Sequence, residues 1–200
     1  VDARFILGFV LLTTLLAVHI ATYWFLTDDA FISFRYARNL AEGYGVVFNP
    51  HSEPVEGYTN FLWVILLAGF VRLGFAAERV APWVSVGFTV AVWVWVALIG
   101  RQLLRPRHDS WTVLLAPLAL AINRSFAVWS TSGLETRFFE LAILSALFLL
   151  YRDLRRGLRE GKSSSIWVGL VFALAVLIRL DALLIAGGAL LAREWILVRS

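Results

Sequence analysis

Apolar positions in this chain come in runs, and the runs are long. The stretches 5–26, 82–104, 111–129, 138–151 and 166–178 are predominantly apolar. A hydrocarbon layer about 30 Å thick is crossed by an apolar helix of about 20 residues, so each stretch is read as a candidate membrane span. A further run, 61–73, is too short to span easily and is placed at the outer interface, tilted or re-entrant. The spans are joined by short turns, except for one long polar segment, 27–60. The pattern therefore predicts an all-α polytopic membrane protein, a single transmembrane bundle over 1–200, with no soluble domain, internal repeat or low-complexity linker. The opening run resembles a signal peptide only superficially. It is long enough to span and no small-x-small cleavage site precedes the acidic pair that follows, so it is read as a retained helix.

The long polar segment has its own periodicity. Asp28 and Asp29 are followed by Phe31, Phe34, Ala37 and Leu40/Ala41 at helical spacing, and Gly43 and Gly45 then supply a stop. This predicts an amphipathic juxtamembrane helix lying on the membrane surface, its aromatic face in the headgroups and the acidic pair at its N-terminus.

Composition agrees with the pattern: 60% of the 200 residues are hydrophobic and 16% charged, with a mean hydropathy of +0.78, outside the usual soluble range. The absence of cysteine excludes disulfides, thiolate nucleophiles and thiolate metal sites, and the spacing of His19, His51 and His108 makes no zinc motif. The net charge of +4 sits on arginines between apolar runs, which mark orientation rather than a nucleic-acid face. The chain opens Val-Asp-Ala-Arg, has no methionine and a single lysine, Lys162, and is expected to be a processed, trimmed or excised piece.

Arginine and lysine accumulate in cytoplasmic loops. Their clusters are Arg101/Arg105/Arg107, 152–162 and Arg193/Arg199. Placing all three inside puts 27–60, the turn 130–137 and the turn 179–181 together on the outer face. It also requires a single crossing between Asn60 and Arg101, assigned to 82–104. The expected location is the cytoplasmic (inner) membrane, multi-pass.

Asp28 and Asp29 can be read as a helix cap, worth about 0.5–2 kcal/mol. A cap explains one aspartate better than two adjacent ones, because a second carboxylate at a membrane boundary is costly to desolvate unless paired or functional. Glu135 reads first as a cap of the next helix. The trio Glu56, Tyr58 and Asn60 is either a polar turn or a set of hydrogen-bonding groups that order the loop or meet a sugar. Arg179 and Asp181 interrupt an apolar stretch and mark an outward turn, as an internal ion pair or as a functional contact. Trp93 and Trp95 are read as lipid-belt and packing residues.

The stretch 27–50 (TDDAFISFRYARNLAEGYGVVFNP), followed by 54–63 (PVEGYTNFLW), resembles the first extracytoplasmic loop of GT-C glycosyltransferases that use polyprenyl-phosphate sugars. It is most like the branch containing the mycobacterial terminal arabinofuranosyltransferase. The turns 132–136 (SGLET) and 179–184 (RLDALL) sit where that branch has comparable turns. The resemblance covers nearly the whole chain, but such enzymes continue through further spans, so it implies the N-terminal part of a GT-C-like module.

What the resemblance implies is inverting transfer of a sugar, arabinofuranose included, from a polyprenyl-phosphate donor to a cell-envelope glycan, glycolipid or protein acceptor. The transfer takes place on the outer face of the membrane. Such chemistry needs a base for the acceptor hydroxyl, and the resemblance assigns that role to the acidic pair: Asp28, with Asp29 orienting it or the donor. The departing phosphate favours a guanidinium, for which Arg35, Arg38 and Arg179 with Asp181 are candidates. Arg35 and Arg38 have the alternative of ordinary interfacial charge meeting anionic lipid. Glu56, Tyr58, Asn60 and Glu135 are the loop and sugar-binding candidates. Asp28 and Asp29 can also hold a divalent cation through oxygen ligands, which a monophosphate donor does not demand. The competing classes are a transporter or lipid flippase component, expected to carry ionisable groups near the midplane, and a structural assembly subunit.

Overall fold

The computed structural model describes residues 3–53, 55, 57–104, 110–161 and 166–199. Glu56, Arg105, Arg107, His108 and Lys162 lie outside them. The described residues form helices joined by turns, without a sheet: α1 Ala3–Thr22, α2 Ala30–Ala41, α3 Phe61–Arg72, α4 Ala77–Leu104, α5 Ser110–Val113, α6 Leu115–Ile122, α7 Arg124–Val128, α8 Thr136–Glu160, α9 Ile166–Ile178 and α10 Ala182–Arg199. Among them, α1 and α4 are long and apolar enough to cross a membrane.

The expected run 111–129 is not one span but three short helices, α5, α6 and α7. Two residues break it. Pro117 has no N–H to donate to the carbonyl of Val113, so the ladder fails where α5 meets α6. Asn123 takes an extended conformation, and its side chain accepts the Phe126 N–H at 3.1 Å, which opens α7. Elsewhere the boundaries move outward: α8 extends beyond 138–151 at both ends, and α4 begins a turn before Pro82.

The core is built on α3. Its 12 residues, about 18 Å long, are too short to span 30 Å, as the run 61–73 suggested. Trp63, Val64 and Leu67 are fully buried between α2 and α4. This corrects the reading of α2. Phe34 and Ala37 do lie on one face, but that face packs against α3 instead of entering headgroups, while Phe31 stays exposed. The helix stops where expected, at Gly43 with φ +93°.

A second cluster joins Leu16 of α1 to Val92 and Trp93 of α4 and Ala121 of α6. The Trp93 indole N–H donates to Thr13 Oγ1 at 3.0 Å. A third joins Ala146 and Leu150 of α8 to Val168 and Phe172 of α9 and Ala186 of α10. Helix α10 is apolar nearly all round and mostly uncovered, with Leu184 83% exposed, the pattern of a helix whose neighbour is lipid or another apolar helix.

Charge is sorted along the bundle. At one end, Arg101 lies over the Phe5 ring at 5.2 Å, Gln102 and Leu103 of α4 share a groove with the arginines of α8, and Arg193 of α10 pairs with Asp153 of α8. At the other end lie Asp28, Asn60, Glu135 and Arg179, linked as described next.

Candidate functional site

The turn 130–135 is the centre of this second end. Its serines and threonine lie in the turn expected on the outer face of the membrane; in the structure Ser130, Thr131 and Ser132 are fully buried and Gly133 is covered. Gly133 turns the chain at φ +83°, where a Cβ would sit 2.5 Å from Leu26 Cδ1, so both the dihedral and the space call for glycine. A buried polar strap needs partners, and the linker between α1 and α2, with α3 and α4, supplies them. The Phe25 N–H donates to Thr131 Oγ1 at 3.2 Å, and the Thr27 N–H to the Ser132 carbonyl at 3.1 Å. The Trp63 indole N–H donates to the Gly133 carbonyl at 3.1 Å, and the Ser85 hydroxyl to the Leu134 carbonyl at 3.2 Å.

Glu135 ends the strap. It occupies the N-cap position of α8 but makes no capping hydrogen bond, so the cap reading does not describe its carboxylate. The Glu135 side chain is 7% exposed, and its carboxylate has two partners. Oε2 accepts from Asn60 Nδ2 at 2.8 Å, and Oε1 meets Arg179 Nη1 at 3.1 Å. Asn60 Nδ2 also reaches Ser33 Oγ at 2.9 Å, and Asn60 Oδ1 is buried without a partner among the described residues. Arg179 donates from Nε and Nη2 to Asp181 Oδ2 at 3.2 and 2.8 Å, the internal ion pair that its spacing suggested. The Asp181 hydrogen bond raises the Arg179 pKa, partial burial opposes the shift, and Glu135 adds to it. The guanidinium is thus a permanent cation. Its side chain is 39% exposed, and three of its five N–H groups are engaged.

Asp28 and Asp29 are exposed at the edge of this cluster, anchored through the Thr27–Ser132 bond. Asp28 Oδ1 accepts from Thr27 Oγ1 at 3.2 Å and from the Asp29 N–H at 3.0 Å. Asp29 is the N-cap residue of α2, and its side chain makes no capping bond. The helix-cap alternative for the pair is therefore not realised. Both carboxylates are open to solvent, the first held by its neighbours.

The other arginines are less free. Arg35 donates from Nε to the Phe48 carbonyl at 2.8 Å, contacts Asn49 Oδ1 through Nη2, and stacks over the Phe48 ring at 4.3 Å. Arg38 pairs with Glu78 at 2.5 Å. Both line an open cleft of about 490 Å³ with Phe31 and Asn39. Tyr58 packs on Tyr36 at 4.7 Å, and the Tyr36 hydroxyl donates to the Val55 carbonyl and accepts the Gly57 N–H. Tyr58 thus belongs to a loop anchored on α2. Glu56, in that loop, lies outside the described residues.

One residue was missed by sequence reading. Arg137, two positions after Glu135, is 2% exposed. It pairs with Glu140, lies over the Phe126 ring at 4.1 Å and donates from Nη2 to the Ser125 carbonyl at 3.4 Å. In sequence it closes the polar turn 130–137 just before the apolar run that starts at Phe138, and the carboxylate three residues on, Glu140, is its one local signal. It heads a groove of about 490 Å³ whose deeper walls are apolar, Val92, Val96, Leu120, Ile143, Leu144 and Leu147. From Arg137 to Leu147 the groove follows α8 for about 15 Å. Among the described residues no group of three or more His, Asp or Glu side chains is placed to hold a metal ion.

No family model and no solved structure matches the chain. It is similar to the terminal β-(1→2)-arabinofuranosyltransferase of Corynebacterium glutamicum, 32% identical over 175 residues, which are 79% of this chain and 24% of that protein. It is likewise similar to the enzyme of the same name in Mycobacterium tuberculosis, 32% identical over 186 residues, 85% of this chain and 29% of that protein. The chain spans less than a third of the length of the curated relatives it matches, 24% and 29%.

Proposed function

We propose that this chain is the N-terminal part of an inverting GT-C glycosyltransferase. It moves a sugar, arabinofuranose first among the candidates, from a polyprenyl-phosphate donor to a cell-envelope acceptor on the outer face of the cytoplasmic membrane. The bundle 1–200 is the transmembrane scaffold and 27–60 the outer loop that carries the acidic motif. The observation that carries this reading is a gathering at one end of an apolar bundle. There a solvent-open aspartate pair is tied through Thr27 and Ser132 to the strap whose last residue, Glu135, pairs with Arg179, and an apolar groove begins two residues from Glu135. The similarity to two arabinofuranosyltransferases supports the reaction class and the donor chemistry.

In this mechanism Asp28 takes the proton from the acceptor hydroxyl as the oxygen attacks the anomeric carbon. The bond from that carbon to the phosphate oxygen breaks on the opposite face, and polyprenyl phosphate leaves with the electron pair. Arg179 keeps two N–H groups for the departing phosphate while Glu135 and Asp181 fix its plane. Arg35 and Arg38 line the neighbouring cleft, and Tyr58, Asn60 and Glu135 shape the sugar side. The groove headed by Arg137 accommodates the lipid chain. Among the described residues the ionisable groups of this groove, Arg137 and Glu140, stand at its head while its deeper walls are apolar, which favours this reading over a transporter with charges near the midplane.

The test is a panel of polyprenyl-phosphate sugars offered to the purified full-length protein with cell-envelope acceptor. Transfer from at least one donor is expected, with inversion at the anomeric carbon. Movement of the lipid-linked sugar across the bilayer with no transfer from any donor refutes the transferase and leaves the flippase.

A further inference from the structure

The last turns of α8 carry Arg152, Arg155, Arg156 and Arg159, a spacing of i, i+3, i+4 and i+7 that lines them up on one stripe. The other side of these turns is occupied: Leu150 belongs to the cluster with α9 and α10, and Asp153 pairs with Arg193 at 3.1 Å. The stripe therefore faces the end of α4. There it lines a groove of about 280 Å³ together with Gln102, Leu103, Phe148, Tyr151 and Glu160.

The charge in this groove is unbalanced. Among the described residues it contains four guanidinium groups and one carboxylate, that of Glu160, which Arg156 holds at 3.0 Å. Arg155 donates to the Tyr151 hydroxyl at 3.1 Å. Arg152 and Arg159 have no hydrogen-bond or ion-pair partner among the described residues. Arg152/Arg156 and Arg155/Arg159 are like-charged i,i+4 pairs, an arrangement that works against the helix until an anion joins it. Leu103 and Phe148 give the same groove an apolar wall. Its place in the fold adds a third constraint. It lies where the apolar α4 runs out, and at 1.5 Å per residue it is about 25–36 Å along α8 from Glu135, well away from the aspartate pair.

We propose that this groove binds the phosphate headgroup of an anionic phospholipid, from the leaflet at the arginine-rich end of the bundle. Arg152 and Arg159 take the phosphate oxygens, and the first methylenes of the lipid lie on Leu103 and Phe148. Arginine suits the task because its planar fork matches a phosphate and its guanidinium is more weakly hydrated than an ammonium. The inference rests on α4 crossing the membrane, not on the transferase reading, and its readout involves no sugar.

The experiment uses the purified full-length protein in uncharged detergent, titrated with phosphatidylglycerol, phosphatidylcholine or inorganic phosphate. Binding is read by native mass spectrometry and by the shift in unfolding temperature. Phosphatidylglycerol is expected to bind saturably and raise the unfolding temperature, with neither control doing so at equal concentration. Each arginine removed is expected to weaken binding about fivefold, so R152Q/R159Q loses about 25-fold. R152K/R159K retains part of the affinity, and Glu160→Gln increases it. Equal retention of phosphatidylglycerol and phosphatidylcholine from a one-to-one mixture by the parent protein overturns the proposal without recourse to any variant. So does parental affinity in R152Q/R159Q, or an equal effect of free phosphate.

Discussion

Replacing Asp28 by asparagine separates catalysis from architecture, because the structure says how little architecture is at stake. The Asp28 side chain is exposed, and its two hydrogen bonds, from Thr27 Oγ1 and the Asp29 N–H, both end on Oδ1, an acceptor that asparagine keeps. The loss is confined to the charge-assisted part of two exposed hydrogen bonds, on the order of 1 kcal/mol or less. In a domain of this size that shifts the unfolding temperature by about 2–4 °C at most. A positioned base contributes about 10²–10⁴ in rate, equivalent to about 2.7–5.4 kcal/mol of barrier. Asp28→Asn is therefore expected to cost at least a hundredfold in transfer from the polyprenyl-phosphate sugar while remaining folded, with Asp29→Asn milder. The assay is transfer by purified full-length protein, with thermal unfolding followed on the same samples. Full activity in both variants refutes the reasoning and returns the pair to surface charge. A collapse of unfolding temperature in parallel with activity refutes the structural half of it.

Other outcomes can be stated more briefly. Arg179→Lys keeps the charge but cannot span Glu135 and Asp181 with a planar fork, so donor affinity is expected to fall about tenfold or more at unchanged protein yield; unchanged donor binding makes Arg179 purely structural. Gly133→Ala meets a left-handed dihedral worth about 1–2 kcal/mol and packed neighbours, whereas Gly161→Ala at φ +65° meets open space. Denaturant melts of both should therefore rank Gly133→Ala as clearly the worse. Cysteines at the exposed positions Ser52 and Glu160 lie at opposite ends of the molecule. An impermeant thiol reagent outside intact cells is expected to label the first and spare the second, and the reverse pattern inverts the topology.

Much of the framework could be read from residue order, and the failures have physical causes. The stop of α2 at Gly43 and the end of α9 before Arg179 follow from local chemistry, a left-handed glycine and a charge pair inside an apolar run. The breakup of 111–129 escaped a hydropathy sum because Pro117 and Asn123 act through one missing donor and one side-chain acceptor. The burial of 130–135 was hidden for a different reason. Its serines and threonine look like a turn on the outer face until partners from the α1–α2 linker, α3 and α4 arrive, and nothing in the six residues names those partners. Of the site candidates, Glu135, Asn60, Arg179 and Asp181 are in contact and Asp28 is tethered nearby. Arg35 and Arg38 belong to an adjoining cleft, a separation that sequence spacing within one helix gave no means to see.

The strap also has a consequence for how the protein is made. Its ties join residues 106, 75, 70 and 44 positions apart, and the shortest of these, Glu135 to Arg179, runs forward in the chain. At about 5–20 residues per second, Glu135 leaves the ribosome about 2–9 seconds before its arginine. During that interval a carboxylate that ends almost fully buried waits beside Asn60 without its cation, and desolvating it unpaired is unfavourable. Final closure of this end of the bundle is thus timed by the synthesis of the turn after α9. A nascent chain arrested before Arg179 emerges is expected to leave the strap open to hydrogen exchange and to close it once translation resumes.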